Sequence, residues 1–422
     1  MPKHEASLKS ESPSAMLTVI EARNRILAPL KSVPMEVLPL ADCNKRILAV
    51  EITAANDLPL FDNSSMDGFA IRSVDTGGAS AAGITLRVIA DFKAGEQLTL
   101  VLQQGEAARI MTGAPLPTGA DAVVPIEDTD VEDQNPGNVL PEVISIHKKV
   151  SPGEFVRPRG LDVRQGQSVL QKGTRLKPQD IGLLAMLGVA RVQVHVKPQI
   201  ALLSSGDELL EVDAPLESGK IRDSNSYTLA ALVEDSGGEI VRLGVAKDSQ
   251  RSVENLLEKA VHQKADLILS SAGVSVGAFD YIREVLESNG VLDFWRVNMR
   301  PGKPIAVGRY RQIPFIGLPG NPVSAFVGFE VFVREAIGRL AGLTDSQRPS
   351  VRVILSEEVQ SDGRESYLRA ILQEQDGVLY AKLTGHQGSG NLLSLVQANA
   401  LLIIPAGVKC VPAGQEVEAW LL

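Results

Sequence analysis

The chain has 422 residues, of which 44% are hydrophobic, 22% charged and 4% aromatic, and its formal net charge is -9 at pH 7. This length favours several domains, and the acidic charge together with the few aromatic rings argues against a nucleic-acid-binding protein. Two distant cysteines and five scattered histidines exclude a disulfide scaffold and a cysteine zinc cluster, and they give a histidine metal site little support.

The polar start of the chain, MPKHEASLKSESPSA, contains no apolar segment of the kind that a signal peptide requires. The sequence has no apolar stretch long enough to span a bilayer. We therefore predict a soluble, cytoplasmic protein with no membrane partner. After this start, apolar residues at helical spacing predict an amphipathic helix between Ala15 and Leu30.

A β-rich domain is predicted from residue 51 to residue 155. Short alternating runs such as LRVIADF, EAARIMTG and DAVVPIED are separated there by Gly, Pro, Asp and Asn. This pattern is typical of strands joined by long loops. The segment PQDIGLLAMLGV that follows is predicted to be helical. We therefore predict that the β-rich domain is inserted into a helical hinge region made of residues 1–50 and 156–196.

Strands and helices alternate from residue 197 to residue 346. The runs IALLSS, EIVRLGVA, ADLILS and IPFIGL are predicted strands, and an amphipathic segment follows each of them. Asn225, Asp280 and Asn321 are predicted N-caps of helices, with Pro322 in the first turn of the last one. Such alternation predicts a doubly wound parallel sheet, in which ligands bind beyond the carboxyl ends of the strands.

The last part of the chain, residues 347–422, carries strand signals. Gln375, Asp376 and Gly377 predict a tight hairpin between two of these strands. We therefore predict a small β-barrel or sandwich at the C-terminus.

Three glycine-containing loops follow strand ends in the α/β region, namely SSGDEL, SSAGVSVGAFD and GLPGNPVSA. Each alone is more often a tight connection, but glycine also lets a backbone approach an anion closely. Cations and carboxylates occur in the same region, and carboxylates beside a phosphate pocket commonly hold Mg²⁺. Their coincidence at one sheet edge favours a ligand site. The cations are Arg296, Arg300 and Lys303, and the carboxylates are Asp207, Glu208, Asp248 and Asp280.

Three further motifs lie outside the predicted parallel sheet. DNSSMDGFAIR and MTGAPLP belong to the β-rich domain, and GHQGSGNLLS lies near the C-terminus. Taken alone, each is most simply a turn or a polar loop.

These motifs, in this order and spacing, resemble the molybdopterin molybdenumtransferases, to which the carboxy-terminal part of gephyrin also belongs. The resemblance extends from about residue 15 to residue 422. It implies an α/β multidomain fold and an elongated homodimer with four domains per chain. These are the helical hinge region, the β-rich inserted domain, a doubly wound α/β molybdopterin-binding domain and a C-terminal β-barrel. The active site would lie between the α/β domain of one subunit and the β-rich domain of its partner.

The resemblance also implies a reaction and its partners. Adenylylated molybdopterin and molybdate would be the substrates, and molybdenum cofactor and AMP the products, with Mg²⁺ assisting. A molybdopterin adenylyltransferase would supply the substrate, and apo-molybdoenzymes or their chaperones would receive the product.

The family's functional positions can be placed on this chain by motif. Molybdate binding would map to Lys303, Pro304, Arg369 and Ser389. The positions matching catalytic residues are Asp67, Thr112, Glu208, Asp248, Asp280, Arg296 and Arg300, with Glu208 and Asp280 as Mg²⁺ ligands. The positions matching substrate-binding residues are Ser205, Gly206, Asn225, Gly273, Ser275, Gly277, Lys303, Pro304, Pro319, Asn321, Pro322, Ser324, Arg369 and Ser389.

One residue departs from the family pattern. Ala272 stands where the third loop usually carries the first of two glycines. This departure leaves open a non-catalytic, dimeric cofactor-binding or scaffold protein of the same fold. A hydrolase of a related nucleotide pyrophosphate is a third possibility, against which the β-rich segment and the C-terminal strands argue.

Overall fold

The computed structural model describes residues 16–77, 83–93, 95, 99–131, 139–271 and 279–422. These residues form two compact units. The first comprises the described residues up to Val50 together with Lys172–Pro178 and Arg191–Leu422, and the second comprises Glu51–Gln171 and Gln179–Ala190. Within the described ranges, no helix is long and apolar enough to cross a membrane. The division into four domains stays a prediction.

The first unit begins with the predicted amphipathic helix, α1 (Val19–Leu27). A capping box starts it: the Thr18 hydroxyl accepts a hydrogen bond from the Glu21 amide, and the Glu21 carboxylate accepts one from the Thr18 amide. The buried face of α1 packs in the core of the α/β region. Strand β1 (Met35–Pro39) follows it.

The second unit is β-rich, as expected. Its main sheet has the order β7-β4-β6-β5-β8, and only the pair β5–β6 is parallel among the pairings described. The runs LRVIADF, EAARI and DAVVP form β5, β6 and β7. The elements are β2 (Ile52–Thr53), β3 (Asn63–Ser64), β4 (Gly68–Ile71), β5 (Ile84–Phe92), β6 (Glu106–Ile110), β7 (Ala122–Pro125), β8 (Val143–Ile146), β9 (Val156–Arg157), β10 (Ser168–Leu170) and α2 (Pro178–Met186).

The chain then returns to the first unit, where β11 (Arg191–His195) pairs with β1 and a six-stranded sheet follows. The sheet has the order β15-β12-β16-β20-β19-β17. Beside it, β13 and β14 form one short parallel pair. The elements of this part of the chain are β12 (Gln199–Ser205), β13 (Leu209–Leu210), β14 (Ile221–Arg222), α3 (Asn225–Asp235), β15 (Glu239–Ala246), α4 (Gln250–His262), β16 (Leu267–Ser271), α5 (Phe279–Asn289), β17 (Gly290–Arg296), β18 (Met299–Arg300), β19 (Pro304–Tyr310), β20 (Ile313–Leu318), α6 (Pro322–Gly328) and α7 (Arg334–Leu340).

The four predicted strands of this sheet are parallel and covered on both faces, which confirms the doubly wound fold. Strand β16 is buried along its whole length, as a strand between two helical layers should be. Its outer leucines face α1, α3 and α6, whereas Ile268 faces α4 and α5. Alternate side chains of one strand therefore enter two separate cores.

Three sequence-based expectations for this region need correction. Strands β17 and β19 add to the sheet in antiparallel orientation, so the six-stranded sheet is mixed rather than wholly parallel. Asn225 is the first residue of α3 and not its N-cap, because Ser224 occupies that position. Asp280 is the second residue of α5 and so lies within the helix rather than before it. Asn321 is the N-cap of α6, with Pro322 after it, as predicted.

The C-terminal strands close into a five-stranded barrel, in the order β23-β24-β21-β27-β25 and back to β23. Asp376 and Gly377 have φ angles of 51° and 77° and join β23 to β24, which confirms the predicted hairpin. One short helix, α8, interrupts the strands. The elements are β21 (Ser350–Leu355), β22 (Val359–Gln360), β23 (Glu365–Gln375), β24 (Val378–Leu383), α8 (Leu393–Gln397), β25 (Ala400–Ile404), β26 (Cys410–Val411) and β27 (Glu416–Leu421).

Candidate active site

A cavity of about 400 Å³ lies in the first unit, beyond the carboxyl ends of β16 and β20. Ligands of open α/β sheets bind at this edge. Seven residues that the family resemblance marks as functional line the cavity. They are Glu208, Asn225, Pro304, Pro319, Asn321, Pro322 and Ser324.

Asn225 holds two walls of the cavity together. Its side-chain amide donates to the Ser271 hydroxyl at 2.8 Å and to the Gly320 carbonyl at 2.7 Å. Ser271 ends β16, and Gly320 lies in the turn between β20 and α6. These two hydrogen bonds satisfy the side-chain amide. The residue can therefore be buried, with 8% of its surface exposed.

Gly206 allows the Glu208 carboxylate to lie against the backbone. Its φ angle is 145°, and a β-carbon built on it would lie 2.4 Å from Glu208 Oε2. A side chain at position 206 would therefore displace the carboxylate that lines the cavity. This gives the glycine of the SSGDEL loop a steric role at the site.

Asp207, Glu208 and Asp248 form an acidic group beside the cavity. The Asp248 amide donates to Asp207 Oδ1 at 3.2 Å. Burial raises the pKa of Asp248, and the negative charges of Asp207 and Glu208 raise it further. In the ranges described, no three Asp, Glu, His or Cys side chains gather closely enough to enclose a metal ion.

Arg300 and Arg369 are neighbouring cations of the first unit. Arg369 is fully buried and donates to Ser394 Oγ and to the Gly388 carbonyl, each at 3.0 Å. Among the described residues it forms no ion pair with a carboxylate, since the contacts found are to neutral acceptors. Burial, and then the charge of Arg300, lower the pKa of Arg369 to about 10. This guanidinium therefore remains uncompensated.

The C-terminal loop connects this basic group to the cavity wall. The Ser389 carbonyl accepts a hydrogen bond of 3.0 Å from the Val323 amide. Val323 lies between Pro322 and Ser324, which line the cavity. Ser389 and the Arg369-bound Gly388 are adjacent in the chain, so a continuous path of contacts joins Arg369 to the start of α6.

The remaining predicted residues of the first unit lie outside the cavity wall. Arg296 and Lys303 are exposed at the two ends of the 297–302 turn, which a hydrogen bond from Val297 N to Lys303 O closes. Ser205 is 2% exposed at the end of β12. Ala272, Gly273, Ser275 and Gly277 lie outside the described residues, and for Asp280 the structure describes the helical backbone position.

In the second unit, Asp67 and Thr112 lie in direct contact. The amide and the hydroxyl of Thr112 both donate to Asp67 Oδ1, at 2.7 and 2.8 Å. The two motif loops are also joined through backbone hydrogen bonds of Ser64 with Gly113 and Ala114. The structure therefore makes one polar surface of two motifs that are about 45 residues apart in sequence.

Several lining residues were not among the sequence-based candidates. Asp223 is 7% exposed, and its carboxylate accepts from the Ser226 amide at 3.0 Å, at the start of α3. The run of polar residues before α3 is the local signal that could have indicated this wall. The lining residues missed are Leu209, Ile221, Arg222, Asp223, Ser224, Ser271, Gly302 and Gly320.

Three family models match the chain in succession. The MoeA N-terminal region, comprising domains I and II, matches residues 17–188. A probable molybdopterin-binding domain matches residues 201–339, which include the cavity of the α/β region. The MoeA C-terminal region, domain IV, matches residues 352–422.

Curated proteins and solved structures agree with these matches. The molybdopterin molybdenumtransferase of Nostoc sp. is 39% identical, and the match covers 90% of this chain and 87% of that protein. The Bacillus subtilis molybdopterin molybdenumtransferase is 35% identical, with coverage of 96% and 94%. The structure of the molybdopterin biosynthesis MoeA protein from Pyrococcus horikoshii is 31% identical, covers 97% of this chain and 100% of that one, and has a TM-score of 0.82. The chain belongs to the molybdopterin molybdenumtransferase family.

Proposed function

We propose that this chain is an enzyme that inserts molybdate into adenylylated molybdopterin and releases AMP and molybdenum cofactor. The observation that carries the proposal is Arg369, a buried guanidinium with neutral acceptors, beside a second arginine. A buried guanidinium that has only neutral acceptors among the described residues is unfavourable in a protein interior. An oxyanion such as molybdate, bound nearby, would compensate its charge.

Arg300 and Ser389 are the groups we propose to contact molybdate directly. Both are partly exposed, whereas Arg369 has no exposed surface. Arg369 would act through its charge and by holding the Gly388 carbonyl, which positions Ser389. Lys303 and Arg296 are exposed and would bring further positive charge to an anionic substrate.

We propose that the cavity receives the phosphate and pterin parts of the substrate. Its volume of about 400 Å³ lies within the range of about 300–1,000 Å³ for small-molecule sites. Ser224, Ser271 and Ser324 place hydroxyl groups in its wall, and Arg222 adds a cation. These donors suit phosphate oxygens.

The carboxylates of the site fit Mg²⁺. This ion commonly uses one or two protein carboxylates and takes its other oxygens from water and substrate phosphates. The charges of Asp207 and Glu208 repel the Asp248 carboxylate and help to raise its pKa. A divalent cation would relieve this repulsion. We propose that Glu208 and Asp280 hold Mg²⁺, which would neutralise phosphate charge when bound.

The protein's own part in the reaction is positioning and charge compensation. In the proposed step, the phosphoanhydride P–O bond breaks while an oxygen of molybdate or water bonds to phosphorus. Negative charge then builds on the leaving and equatorial oxygens. Arg296, Arg300 and Lys303 would stabilise this charge, and Asp248 would help to orient the attacking group. Asp67 and Thr112 would act from the partner subunit.

We further propose a cytoplasmic homodimer with four domains per chain. The Asp67–Thr112 surface and the cavity belong to different compact units of the chain, and in the proposed dimer one subunit would complete the site of the other. A molybdopterin adenylyltransferase would act before this enzyme, and apo-molybdoenzymes or their chaperones would receive its product.

The deciding experiment combines the purified chain with adenylylated molybdopterin, Mg²⁺ and molybdate. We expect molybdate-dependent AMP release and transfer of active cofactor to an apo-molybdoenzyme. AMP release that does not need molybdate would favour the pyrophosphate hydrolase. Tight substrate binding without AMP release would favour the non-catalytic scaffold.

A further inference from the structure

A second cavity of about 350 Å³ lies in the first unit, lined by residues to which the proposed reaction gives no role. Its wall is formed by the chain after α1, the residues before Gly173, the end of β11 and the end of α7. Lys31, Lys172, His195 and Arg339 all line it. We propose that this cavity, which we call the His195 pocket, binds a phosphate group, either as free phosphate or as part of a small phosphomonoester.

The His195 ring supplies the first argument. The residue is 7% exposed, and its Nδ1 lies 2.9 Å from the Val33 carbonyl oxygen. A carbonyl oxygen can only accept, so Nδ1 carries the proton. The other nitrogen, Nε2, is buried and finds no partner within the described part of the chain. Buried polar atoms are normally bonded, so a ligand that supplies a partner for Nε2 would be favoured here.

Gly342 shows that the ring is held in place. Its φ angle is 80°, and a β-carbon built there would lie 2.5 Å from His195 Nε2. The ring therefore packs on a position that only glycine can occupy without displacing it. With Nδ1 bonded to Val33 and Gly342 packed against the Nε2 side, the ring has a fixed place in the pocket wall.

The charges that line the pocket determine the sign of its ligand. Lys31, Lys172 and Arg339 are exposed, and within the ranges described none of them forms an ion pair. The described lining contains no carboxylate. A metal cation would be repelled by three positive groups, although histidine is a common metal ligand. An anion is therefore the complementary ligand.

The carbonyl groups at the end of α7 are not free to accept hydrogen bonds from the cations at the pocket. Its last four carbonyl groups already accept hydrogen bonds from Ala341, Leu343, Gly342 and Val33 amides. Arg339 lies in the last helical turn, where a cation is favourable for the helix dipole. That accounts for one cation and leaves Lys31, Lys172 and Nε2 of His195 without a structural role.

The protonation state of His195 decides what Nε2 offers to a ligand. A neutral imidazole with hydrogen on Nδ1 presents a lone pair at Nε2, whereas imidazolium presents an N–H donor that an anion oxygen can accept. The charged groups around His195 are Lys31, Lys172 and Arg339 at the pocket, with Arg46 bonded to its carbonyl at 2.8 Å and paired with Glu36.

The test is a titration of the full chain, labelled with ¹³C at histidine Cε1, by nuclear magnetic resonance. The His195 signal is identified by its loss in His195→Asn, in which the amide can still donate to Val33. Inorganic phosphate and glycerol 3-phosphate are the probes, and tighter binding of the second indicates a phosphomonoester. Because the readout is at His195, phosphate bound in the cavity of the α/β region does not interfere.

We expect Lys172→Ala/Arg339→Ala to raise the phosphate concentration at half-saturation by about tenfold or more. Lys382→Ala removes one exposed charge from the barrel and should leave the phosphate concentration at half-saturation unchanged. Sulfate, a second tetrahedral anion, should also shift the His195 signal. Thermal melts check that each variant folds.

Two results would overturn the proposal. One is a wild-type His195 signal that responds to none of the three anions, which decides the matter even if a variant fails to fold. The other is an equal response in the wild type and the folded Lys172→Ala/Arg339→Ala variant, because the cations would then have no part in binding.

Discussion

The Asn225 side-chain amide donates a hydrogen bond of 2.8 Å to the Ser271 hydroxyl, from the first residue of α3 to the last residue of β16. A second bond, to the Gly320 carbonyl, extends the contact to the turn before α6. One side chain thus sets the relative position of three elements that line the cavity.

Asn225→Ala should weaken both the fold and substrate binding. It leaves the Gly320 carbonyl and the Ser271 hydroxyl without this donor, which should cost about 1–3 kcal/mol of unfolding free energy. The Michaelis constant for adenylylated molybdopterin should rise, as measured by AMP release. Asn24→Ala, on the exposed side of α1, is the matched control and should change neither quantity. A normal Michaelis constant in Asn225→Ala would limit this residue to a structural role.

Asp280→Asn separates helix stabilisation from catalysis. Asp280 lies in the first turn of α5, where a negative charge is worth about 0.3–1 kcal/mol. Thermal melts should therefore change little. If the carboxylate holds Mg²⁺, turnover should fall about a hundredfold or more, which corresponds to about 2.7 kcal/mol of barrier. Single-turnover AMP release measures this, and turnover equal to wild type would leave Asp280 as a helix residue.

Ser389→Ala tests the C-terminal loop. We expect a higher molybdate requirement with unchanged binding of the pterin nucleotide, because Ser389 lies next to the Arg369-bound Gly388 carbonyl. The dependence of cofactor formation on molybdate concentration is the measurement. Ser356→Ala, an exposed serine of the barrel, serves as control. An unchanged molybdate requirement would remove Ser389 from the proposed site.

Glu330 gives the protein a predictable sensitivity to acid. Burial alone would raise its pKa, but the hydrogen bonds and charges of Arg348 and Arg334 outweigh burial, so the pKa lies below the ordinary 4.5. The stability contributed by this carboxylate is present above about pH 4.5 and is lost as pH falls through the folded-state pKa.

Glu330→Gln should therefore be less stable at pH 7 by about 3 kcal/mol or more, because two partly buried arginines lose their counter-charge. Its stability should also fall less than that of the wild type as the pH decreases below about 5. Denaturant unfolding at several pH values measures both effects. Parallel pH profiles for the two proteins would assign the acid sensitivity to other groups.

Mixed dimers test whether two subunits share a site. Chains carrying Asp67→Asn and chains carrying Asp280→Asn should each be nearly inactive. If the partner supplies Asp67, random mixing should restore about a quarter of the wild-type sites. Activity of the mixture is compared with the two pure variants, and sedimentation confirms the dimer. No gain on mixing would place both residues in one chain's site.

Local sequence patterns were sufficient for the elements whose periodicity is strong. Buried parallel strands are continuous apolar runs, amphipathic helices repeat every three to four residues, and Asp-Gly favours a two-residue hairpin. Each of these signals depends on the environment of a single element or turn. For that reason the four parallel strands, α1 and the Asp376–Gly377 hairpin could be predicted.

Contacts between distant residues were decided by the tertiary structure alone. Asn225 could have capped its helix, but the fold places Ser271 and Gly320 within reach of its amide. Arg369 lies near Arg300 because β18 pairs with β23, and the His195 pocket joins four separate segments. A side chain's choice among competing hydrogen-bond partners depends on strand order and loop position, and these follow from packing of the whole chain rather than from local periodicity.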